Sequence, residues 1–304
     1  GHSNETFFIS RGPHEWVLRR PPLAVYLPTA HDVLREFRIL LALDATAVRV
    51  PHVVLACEDT AVIGAAFYLM EKVDGVVIRD QVPQALENEG IGPELITALA
   101  ELHQVDPLLV GGKPTGYLQR QVKRWSGQLE LATSLTTQSR EIPDMWKVRD
   151  WLGEHMPTSG DPAIVHGDYK LDNTMFAPSA PTRLLAILDW EMSTVGDPLA
   201  DLGWLLSFWH EPSDPPDPLH DALPRLPQSR AELIALYEHL TGRVASDMRW
   251  YVVLAIWKLG CLLEGSFGRH LLGSTDDPFF ARLETGVPAL ARSALDVAAG
   301  SLDI

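Results

Sequence analysis

The spacing of the apolar residues changes near residue 72, and this change restricts the chain to a fold with two unlike parts. After this point the apolar residues recur mostly at helical spacing, whereas before it only one segment, 28–43, does so. The sequence therefore predicts an α+β protein with a small β-rich first lobe and a larger, mainly helical second lobe. The short apolar runs of the first lobe have the length of strands and lie at 5–10, 15–19, 52–57 and 62–71.

A polar segment that contains a glycine, "KVDG" at 72–75, separates the two parts and has the composition of a linker. We therefore expect one lobe at 1–71 and another at 76–304, joined by this segment. Within the second lobe, two short apolar runs at 163–165 and 183–190 predict strands. The expected helices of this lobe lie at 93–104, 117–134, 198–209, 230–241, 246–264 and 278–298.

The charge of the chain argues against two classes of partner. The 304 residues include 25 basic and 40 acidic side chains, which give a formal charge of −15 at pH 7. Such a surface repels nucleic-acid phosphates and anionic lipid headgroups. The one basic stretch, at 119–125, lies in a helical pattern and is typical of a solvated face. We therefore expect neither nucleic acid nor a membrane as a partner.

The cysteines and the longest apolar run indicate the compartment. Cys57 and Cys261 lie far apart within apolar runs, which is typical of reduced core thiols in a cytoplasmic protein. The apolar run at 250–263 is interrupted by Lys258 and is too short to span a bilayer. The sequence shows no signal-peptide pattern, and since it starts at Gly1 instead of a methionine, we expect part of the native N-terminus to be missing.

Polar side chains follow both short strands of the second lobe, at the point where each strand ends. His166 and Asp168 come after the first strand, Asn173 lies five positions after that aspartate, and Asp189 ends the second strand. Two carboxylates and a carboxamide form a hard oxygen donor set, which suits Mg²⁺ better than zinc or iron. Because magnesium held in this way leaves positions open for phosphate oxygens, the pattern indicates phosphoryl transfer.

Each of these residues also has a structural interpretation. Asp and Asn after a strand commonly cap helices or form turns, and a single histidine is most often structural. The ordered set His-x-Asp-x4-Asn, followed sixteen residues later by a further aspartate, arises much less easily by chance. We therefore interpret Asp168 as the group that orients an acceptor hydroxyl and accepts its proton.

These residues resemble the catalytic and metal-binding loops of the aminoglycoside phosphotransferase and choline kinase branch of the kinase-like fold. In that branch the catalytic loop reads His-Gly-Asp with an asparagine five residues after the aspartate, as His166 to Asn173 do here. The family's metal aspartate corresponds to Asp189, with Trp190 and Glu191 where protein kinases have Phe-Gly. The resemblance covers nearly the whole chain and implies a bilobal, protein-kinase-like fold with ATP as phosphate donor and Mg²⁺ as cofactor.

The resemblance also implies roles for residues outside these two loops. The segment 196–204 looks like the one that follows the family's metal loop, in which Asp201 would brace the catalytic loop. Residues 1–7 resemble the phosphate-covering loop between the family's first two strands, with backbone amides and Ser3 or Asn4 near the phosphates. We expect the strand that precedes this loop in the family to be missing from the chain.

A cationic side chain is expected on the predicted strand at 15–19. The family usually places a lysine there, which contacts the α- and β-phosphates and pairs with a glutamate on the following helix. Arg19 stands at this position, and Glu36 is the matching acid. Arginine keeps the charge and can fork between carboxylate and phosphate oxygens, but it is not equivalent to an ammonium. Arg20 is the next candidate, although alternation with Val17 favours Arg19, and an exposed arginine pair before two prolines is the structural alternative.

The segment 68–75 falls at the position of the family's hinge. The resemblance implies that the backbone of Glu71 and Val73 hydrogen-bonds to the adenine edge, while Met70 or Phe67 lines the pocket. Methionine and phenylalanine at such positions are usually core residues, so adenine recognition is inferred from the resemblance alone.

The acceptor hydroxyl is expected to belong to a small molecule bound by the helical lobe. Acidic residues there would attract a polycationic aminoglycoside, but in a chain of this charge ordinary surface is the favoured interpretation. The aromatic residues of that lobe have the spacing of helix faces, which favours core packing. The stretches "VLRRPP" and "HGDYKLDN" resemble kinase domains fused to acyl-CoA dehydrogenases, so a hydroxylated acyl compound competes with a sugar as acceptor. The acidic residues are Asp214, Asp217, Asp221, Glu264, Asp276 and Asp277; the aromatic ones are Trp204, Phe208, Trp209, Trp250, Tyr251 and Trp257.

Two function classes therefore stay open. The first is an ATP- and magnesium-dependent phosphotransferase acting on a hydroxyl of a small molecule: an aminoglycoside-like sugar, a hydroxyacyl compound or another metabolite. The second is a nucleotide-binding pseudokinase that regulates a partner. Intact Asp168, Asn173 and Asp189 favour catalysis, whereas Arg19 favours the pseudokinase. A protein acceptor is less favoured, because no Ala-Pro-Glu segment follows the metal loop.

Overall fold

A computed structural model of the chain describes residues 4–22, 32–134, 140–214, 223–273, 277–302 and 304. Contacts between residues divide the chain into two compact units, 1–112 with 163–195 and 113–162 with 196–304. These units differ from the predicted lobes, because the first unit also contains residues 163–195. Within it, residues 76–77 pair with residues 175–176. The lobe boundary at 72–75 stays a prediction.

The first unit combines short strands with two helices. Its elements are β1 Glu5–Arg11, β2 His14–Arg20, α1 Val33–Asp44, β3 Val53–Cys57, β4 Phe67–Glu71, β5 Val76–Val77, α2 Asn88–His103, β6 Ala163–Val165, β7 Thr174–Phe176, β8 Leu184–Ile187 and β9 Thr194–Gly196, the last residue of which belongs to the second unit. Short 3₁₀ turns lie at Pro107–Leu109, Leu171–Asn173 and Trp190–Met192.

An antiparallel four-stranded sheet in the order β1-β2-β4-β3 confirms the predicted β-rich start of the chain. β1 and β2 form the predicted hairpin, in which Arg11 pairs with His14 and Gly12 takes a positive φ of 60° in the turn. α1 begins at its N-cap Asp32, whose side chain accepts from the Arg35 amide. Residues 28–31 of the predicted helix lie outside the described residues.

Two predicted elements of the first unit were wrong at their boundaries. The predicted strand 62–71 is a strand only from Phe67, because the Gly64 amide donates to Thr60 O at 2.8 Å and closes a turn in which Gly64 has a φ of 86°. α2 begins at Asn88, five residues before its predicted start, so Pro93 lies inside the helix. The first turn of α2 is stabilised by Ile91, which is buried and adds apolar surface to the core.

The second unit is helical. Its elements are α3 Tyr117–Ser134, α4 Pro143–Glu154, α5 Leu199–Ser207, α6 Arg230–Thr241, α7 Met248–Leu271, α8 Pro278–Ala281 and α9 Leu283–Ala298. The sequence analysis missed α4, although Pro143 in its first turn and the buried Met145, Val148 and Leu152 give the helical spacing. The predicted last helix is divided into α8 and α9.

The aromatic cluster of the second unit forms core, as its spacing predicted. Trp204, Trp209, Trp250, Tyr251 and Trp257 are buried, whereas Phe208 is half-buried. Three of the indole nitrogens donate to backbone carbonyls within the unit, which satisfies the polar atom that each ring buries.

α7 is the longest helix within the described ranges. By length and composition it could cross a membrane, since its 24 residues extend beyond the apolar run that the sequence analysis judged too short. Of its most apolar stretch, 72% is buried inside the protein, as in a core helix. This helix is therefore weak support for a membrane partner, and the expected absence of one stays a prediction. Both cysteines are free thiols; Cys261 on this helix is buried and Cys57 is only half-buried.

Candidate active site

A hairpin of β7 and β8 carries Asn173 and Asp189 at one end; β8 lies within the predicted strand 183–190, whereas β7 was not predicted. β7 and β8 are antiparallel, with Thr174 opposite Ile187. The Leu188 amide donates to Asn173 O at 2.8 Å, which extends the pairing by one residue beyond the strands. Asn173 and Asp189 are therefore held on neighbouring chain segments at the same end of this hairpin, and both line the same cavity.

His166 connects its own loop, 166–173, to the segment before Asp189. Its ring is fully buried; Nε2 lies 2.9 Å from Leu188 O, and Nδ1 accepts from the Asp168 amide at 3.2 Å. A ring nitrogen that accepts from an amide carries no hydrogen, so the tautomer has its hydrogen on Nε2, where it donates to the carbonyl. His166 thus acts on the site by holding Asp168 and Asp189 in register.

Asn173 orients the Asp168 carboxylate. The Asn173 Nδ2 group donates to Asp168 Oδ2 at 2.7 Å and to Asp168 O at 2.9 Å. Because both donor directions of the amide point to Asp168, its oxygen faces away from that residue and can bind a cation. Gly167 makes this loop possible, since it has a φ of 85° and a Cβ there would lie 2.8 Å from Met192 O.

Arg19 lies between the predicted acid on α1 and the predicted metal ligand. Its Nη1 is 3.2 Å from Glu36 Oε1, and its Nη2 is 3.2 Å from Asp189 Oδ1. The Trp190 amide donates to the same Glu36 oxygen at 3.2 Å. Arg20 instead pairs with Glu5 at 2.8 Å, so the alternation of side chains selected the right arginine for contact with Glu36. The roles of Arg19 and Glu36 in nucleotide binding stay predictions.

The residues near Asp189 fit a hydrated magnesium ion. Burial, followed by the charges of Asp189 and Glu36, raises the pKa of Glu191 to about 7. Among the described residues no group of three His, Cys, Asp or Glu side chains could hold a metal. Asn173 and Asp189 offer only two oxygen ligands, and this small number suits Mg²⁺, which keeps water and phosphate oxygens in its coordination shell.

A cavity of about 470 Å³ connects these residues to the predicted hinge. Arg19, Asn173 and Asp189 line it together with the hinge residues Glu71 and Val73. Part of its wall is apolar and is formed by Val17, Met70, Met175 and Ile187. Of the two predicted lining residues, Met70 contributes and Phe67 does not.

Of the predicted site residues that the structure describes, four are not among those that line this cavity: Asn4, His166, Asp168 and Asp201. The Asn4 side chain donates to Glu36 Oε2 at 3.5 Å, and Asn4 is not among the lining residues. Ser3 lies outside the described residues. Asp201 is fully buried in the first turn of α5, in the second unit, and its bracing role stays a prediction.

Two cationic residues of the site escaped the sequence analysis. Lys170 Nζ lies 3.1 Å from Asp172 Oδ2 and 3.9 Å from Asp168 Oδ2, and although burial opposes it, the charges of Asp168 and Asp172 raise the pKa of Lys170. Lys170 could have been predicted from the sequence, because it lies two residues after Asp168. Arg35 on α1 donates through Nη1 to Glu191 O at 3.2 Å and through Nη2 to Ser193 O. No local pattern indicated Arg35, because its partners are carbonyls more than 150 residues away.

Replacing Arg35 with methionine should loosen the segment that follows Asp189. Methionine keeps the aliphatic stem but removes two hydrogen bonds from a charged donor, so we expect a loss of about 2 kcal/mol in the free energy of unfolding. Urea titration measures this loss, and magnesium-dependent nucleotide binding should weaken in parallel. Arg38→Met is the matched control, because Arg38 lies on the same helix with its side chain 64% exposed. Equal destabilisation by the two substitutions would contradict a positioning role for Arg35.

Comparison with known proteins agrees with this geometry. The profile of the phosphotransferase enzyme family matches residues 1–246. The chain belongs to this family. It is 33% identical to a putative aminoglycoside phosphotransferase from Ralstonia eutropha, with a TM-score of 0.81 over 98% of this chain and 90% of that structure. The structure of choline kinase LicA from Streptococcus pneumoniae, at 14% identity, has a TM-score of 0.62 over 96% of this chain and 91% of that chain, which confirms the kinase-like fold.

Longer proteins also contain a region similar to this phosphotransferase-family chain. The human protein named acyl-CoA dehydrogenase family member 11 is 34% identical over 314 residues, 96% of this chain and 39% of that protein. Mouse acyl-CoA dehydrogenase family member 10 is 34% identical over 90% of this chain and 26% of its own length. The chain thus spans less than two fifths of these relatives. The predicted resemblance to kinase domains of acyl-CoA dehydrogenase proteins is confirmed.

Proposed function

We propose that this member of the phosphotransferase family moves the γ-phosphate of ATP to a hydroxyl of a small molecule, with Mg²⁺ as cofactor. The observation that carries the proposal is the 2.7 Å hydrogen bond from Asn173 Nδ2 to Asp168 Oδ2, at the end of the hairpin that also holds Asp189. One short loop thereby supplies both a proton acceptor and a metal ligand, which is the combination that in-line phosphoryl transfer requires.

The position of each site residue supports a particular role in the proposed reaction. Asp168 orients the acceptor hydroxyl and accepts its proton as the new oxygen–phosphorus bond forms, while the bond from the γ-phosphorus to the β–γ bridging oxygen breaks and ADP leaves. Arg19 and Lys170 place positive charge beside the phosphates, and the backbone of Glu71 and Val73 binds the adenine edge. Asn173 and Asp189 would hold Mg²⁺, which would supply neutralisation of the phosphate charge.

The acceptor is proposed to be neutral or anionic, with hydroxyacyl compounds first. The acidic residues that would attract a polycation are engaged within the second unit: Asp214 accepts from Arg230 Nη1 at 3.0 Å, and buried Glu264 lies 3.7 Å from Arg140 Nε. Asp277 caps α8. Asp217, Asp221 and Asp276 lie outside the described residues. The names of the longer relatives, which refer to acyl-CoA dehydrogenases, also support an acyl acceptor.

A nucleotide-binding pseudokinase is the second candidate, and Arg19 is the observation that favours it. Arg19 replaces the family's lysine, and its guanidinium is engaged by two carboxylates of the protein. The complete set of Asp168, Asn173 and Asp189 favours the enzyme.

Nucleotide binding and transfer separate the two candidates. We expect ATP with Mg²⁺ to raise the melting temperature, and phosphate to move from ATP to at least one member of a pooled panel of hydroxyacyl compounds, sugars and aminoglycosides. Mass spectrometry of the pool identifies the product without a prior choice of acceptor. Stabilisation by ATP without transfer to any member of a broad panel would support the pseudokinase, and no response to ATP would contradict both candidates.

A further inference from the structure

Arg19 uses its two terminal nitrogens on two different carboxylates. Nη1 contacts Glu36 Oε1 and Nη2 contacts Asp189 Oδ1, each at 3.2 Å, in a side chain that is 9% exposed. The Trp190 amide also donates to Glu36 Oε1, so Glu36, Arg19 and the Asp189–Trp190 segment form a closed ring of polar contacts. A planar guanidinium can bridge two acids through separate N–H groups, whereas a lysine has one nitrogen for both.

We propose that Arg19 makes metal binding depend on the nucleotide, because one arm of the arginine occupies the carboxylate that would otherwise receive free Mg²⁺. This inference rests on the proposed function for the identity of the metal site. In the absence of nucleotide the ion is weakly held, and it enters the site together with the phosphates.

The ligand count explains why the contact with Arg19 matters. Asn173 and Asp189 together supply few oxygens, and Asp189 Oδ1 already accepts from Arg19. An ion that uses this carboxylate must share it with a guanidinium of the same sign of charge at short range. Magnesium gives up its water reluctantly, so a pair of protein ligands weakened in this way does not compensate for the lost hydration.

A polyphosphate changes this balance. Its oxygens add ligands for the ion, and its negative charge offers Arg19 an alternative to Asp189. Arg19 lines the cavity in which the phosphates are proposed to lie, so its guanidinium can meet an incoming oxygen there. The same side chain that disfavours the free ion therefore favours the complex of ion and nucleotide.

The test measures binding of Mn²⁺ alone, by electron paramagnetic resonance, in protein without nucleotide. Arg19→Lys keeps the charge and the contact with Glu36 but removes the second arm. We expect it to bind Mn²⁺ about tenfold more tightly than the wild type, which corresponds to about 1.4 kcal/mol. Arg20→Lys is the matched control, since Arg20 is the neighbouring residue and pairs with Glu5 instead, and its Mn²⁺ affinity should equal that of the wild type. Equal affinity in the wild type and Arg19→Lys, or equal increases in both variants, would overturn the inference.

A second variant moves the affinity in the opposite direction. Glu36→Gln removes the competing carboxylate, so Arg19 should bind Asp189 more strongly and Mn²⁺ affinity without nucleotide should fall. Far-ultraviolet circular dichroism establishes that each variant is folded, and an increase in affinity in folded Glu36→Gln would also overturn the inference. Adding a non-hydrolysable ATP analogue should bring the Mn²⁺ affinities of the wild type and Arg19→Lys closer together.

The proposed function fails by a different result. If the wild type binds Mn²⁺ neither alone nor with the ATP analogue, the proposed metal and nucleotide site is wrong. The comparison of Arg19→Lys with Arg20→Lys, made without nucleotide, decides the role of Arg19 separately.

Discussion

Asp168→Asn should lower the rate of phosphoryl transfer by a factor of about 10² to 10⁴, the usual contribution of a positioned general base. The carboxamide oxygen can still accept from Asn173 Nδ2, which donates to Asp168 Oδ2 at 2.7 Å in the native protein. The loop therefore keeps its shape, but the substituted group can no longer take the hydroxyl proton. Steady-state kinetics with the acceptor found in the panel measures the loss, and calorimetry should find ATP affinity within about twofold of the wild type.

Asp150→Asn is the control for this prediction. It removes the same charge from a side chain that is 59% exposed on α4, and surface substitutions of this kind are usually close to neutral. Turnover in Asp168→Asn equal to that of Asp150→Asn would show that Asp168 is not the base. A parallel loss of ATP affinity would instead show that the carboxylate holds the nucleotide site together.

Asp189→Ala should abolish the part of nucleotide binding that depends on Mg²⁺ and lower transfer by about a hundredfold or more. A metal supplies several kcal/mol of charge stabilisation in the transition state, and each 1.36 kcal/mol is a factor of ten in rate. The substitution also frees the arm of Arg19 that contacts Asp189 at 3.2 Å, so binding of ATP without metal should persist or strengthen. Titrations of ATP with and without Mg²⁺ separate the two contributions.

Asp150→Ala is the matched control for this second prediction, because it truncates an aspartate that has no role in the proposed site. Its binding of ATP should respond to Mg²⁺ as in the wild type. If Asp189→Ala keeps the same response to Mg²⁺, the metal is held elsewhere, and the assignment of Asp189 and Asn173 as its ligands is wrong.

The parts of the fold that periodicity predicted are those in which local spacing and packing agree. The hairpin of β1 and β2, the helix α1 and the strands β6 and β8 follow from short apolar runs bounded by turn or polar residues. The predicted start of β4 at residue 62 was wrong because an apolar run does not reveal that a glycine within it closes a turn. Val62 is 58% exposed in the structure.

The candidate site was predictable where a short sequence interval fixes the geometry. Asp168 and Asn173 are five residues apart, and their contact follows from one loop. Arg35 was missed because its role depends on carbonyl groups of Glu191 and Ser193, which carry no signal in their side chains. Long-range contacts to backbone atoms are set by the packing of whole elements, and a single sequence does not reveal them.

The first unit is assembled from two stretches of chain, 1–112 and 163–195, with fifty residues of the second unit between them. During synthesis the ribosome therefore produces the four-stranded sheet well before the hairpin that completes its unit. β5 pairs with β7 and therefore lacks this partner strand until those later residues emerge. A fragment that stops at residue 112 would lack Asn173 and Asp189, so the proposed nucleotide site cannot be produced from the first of these two stretches alone.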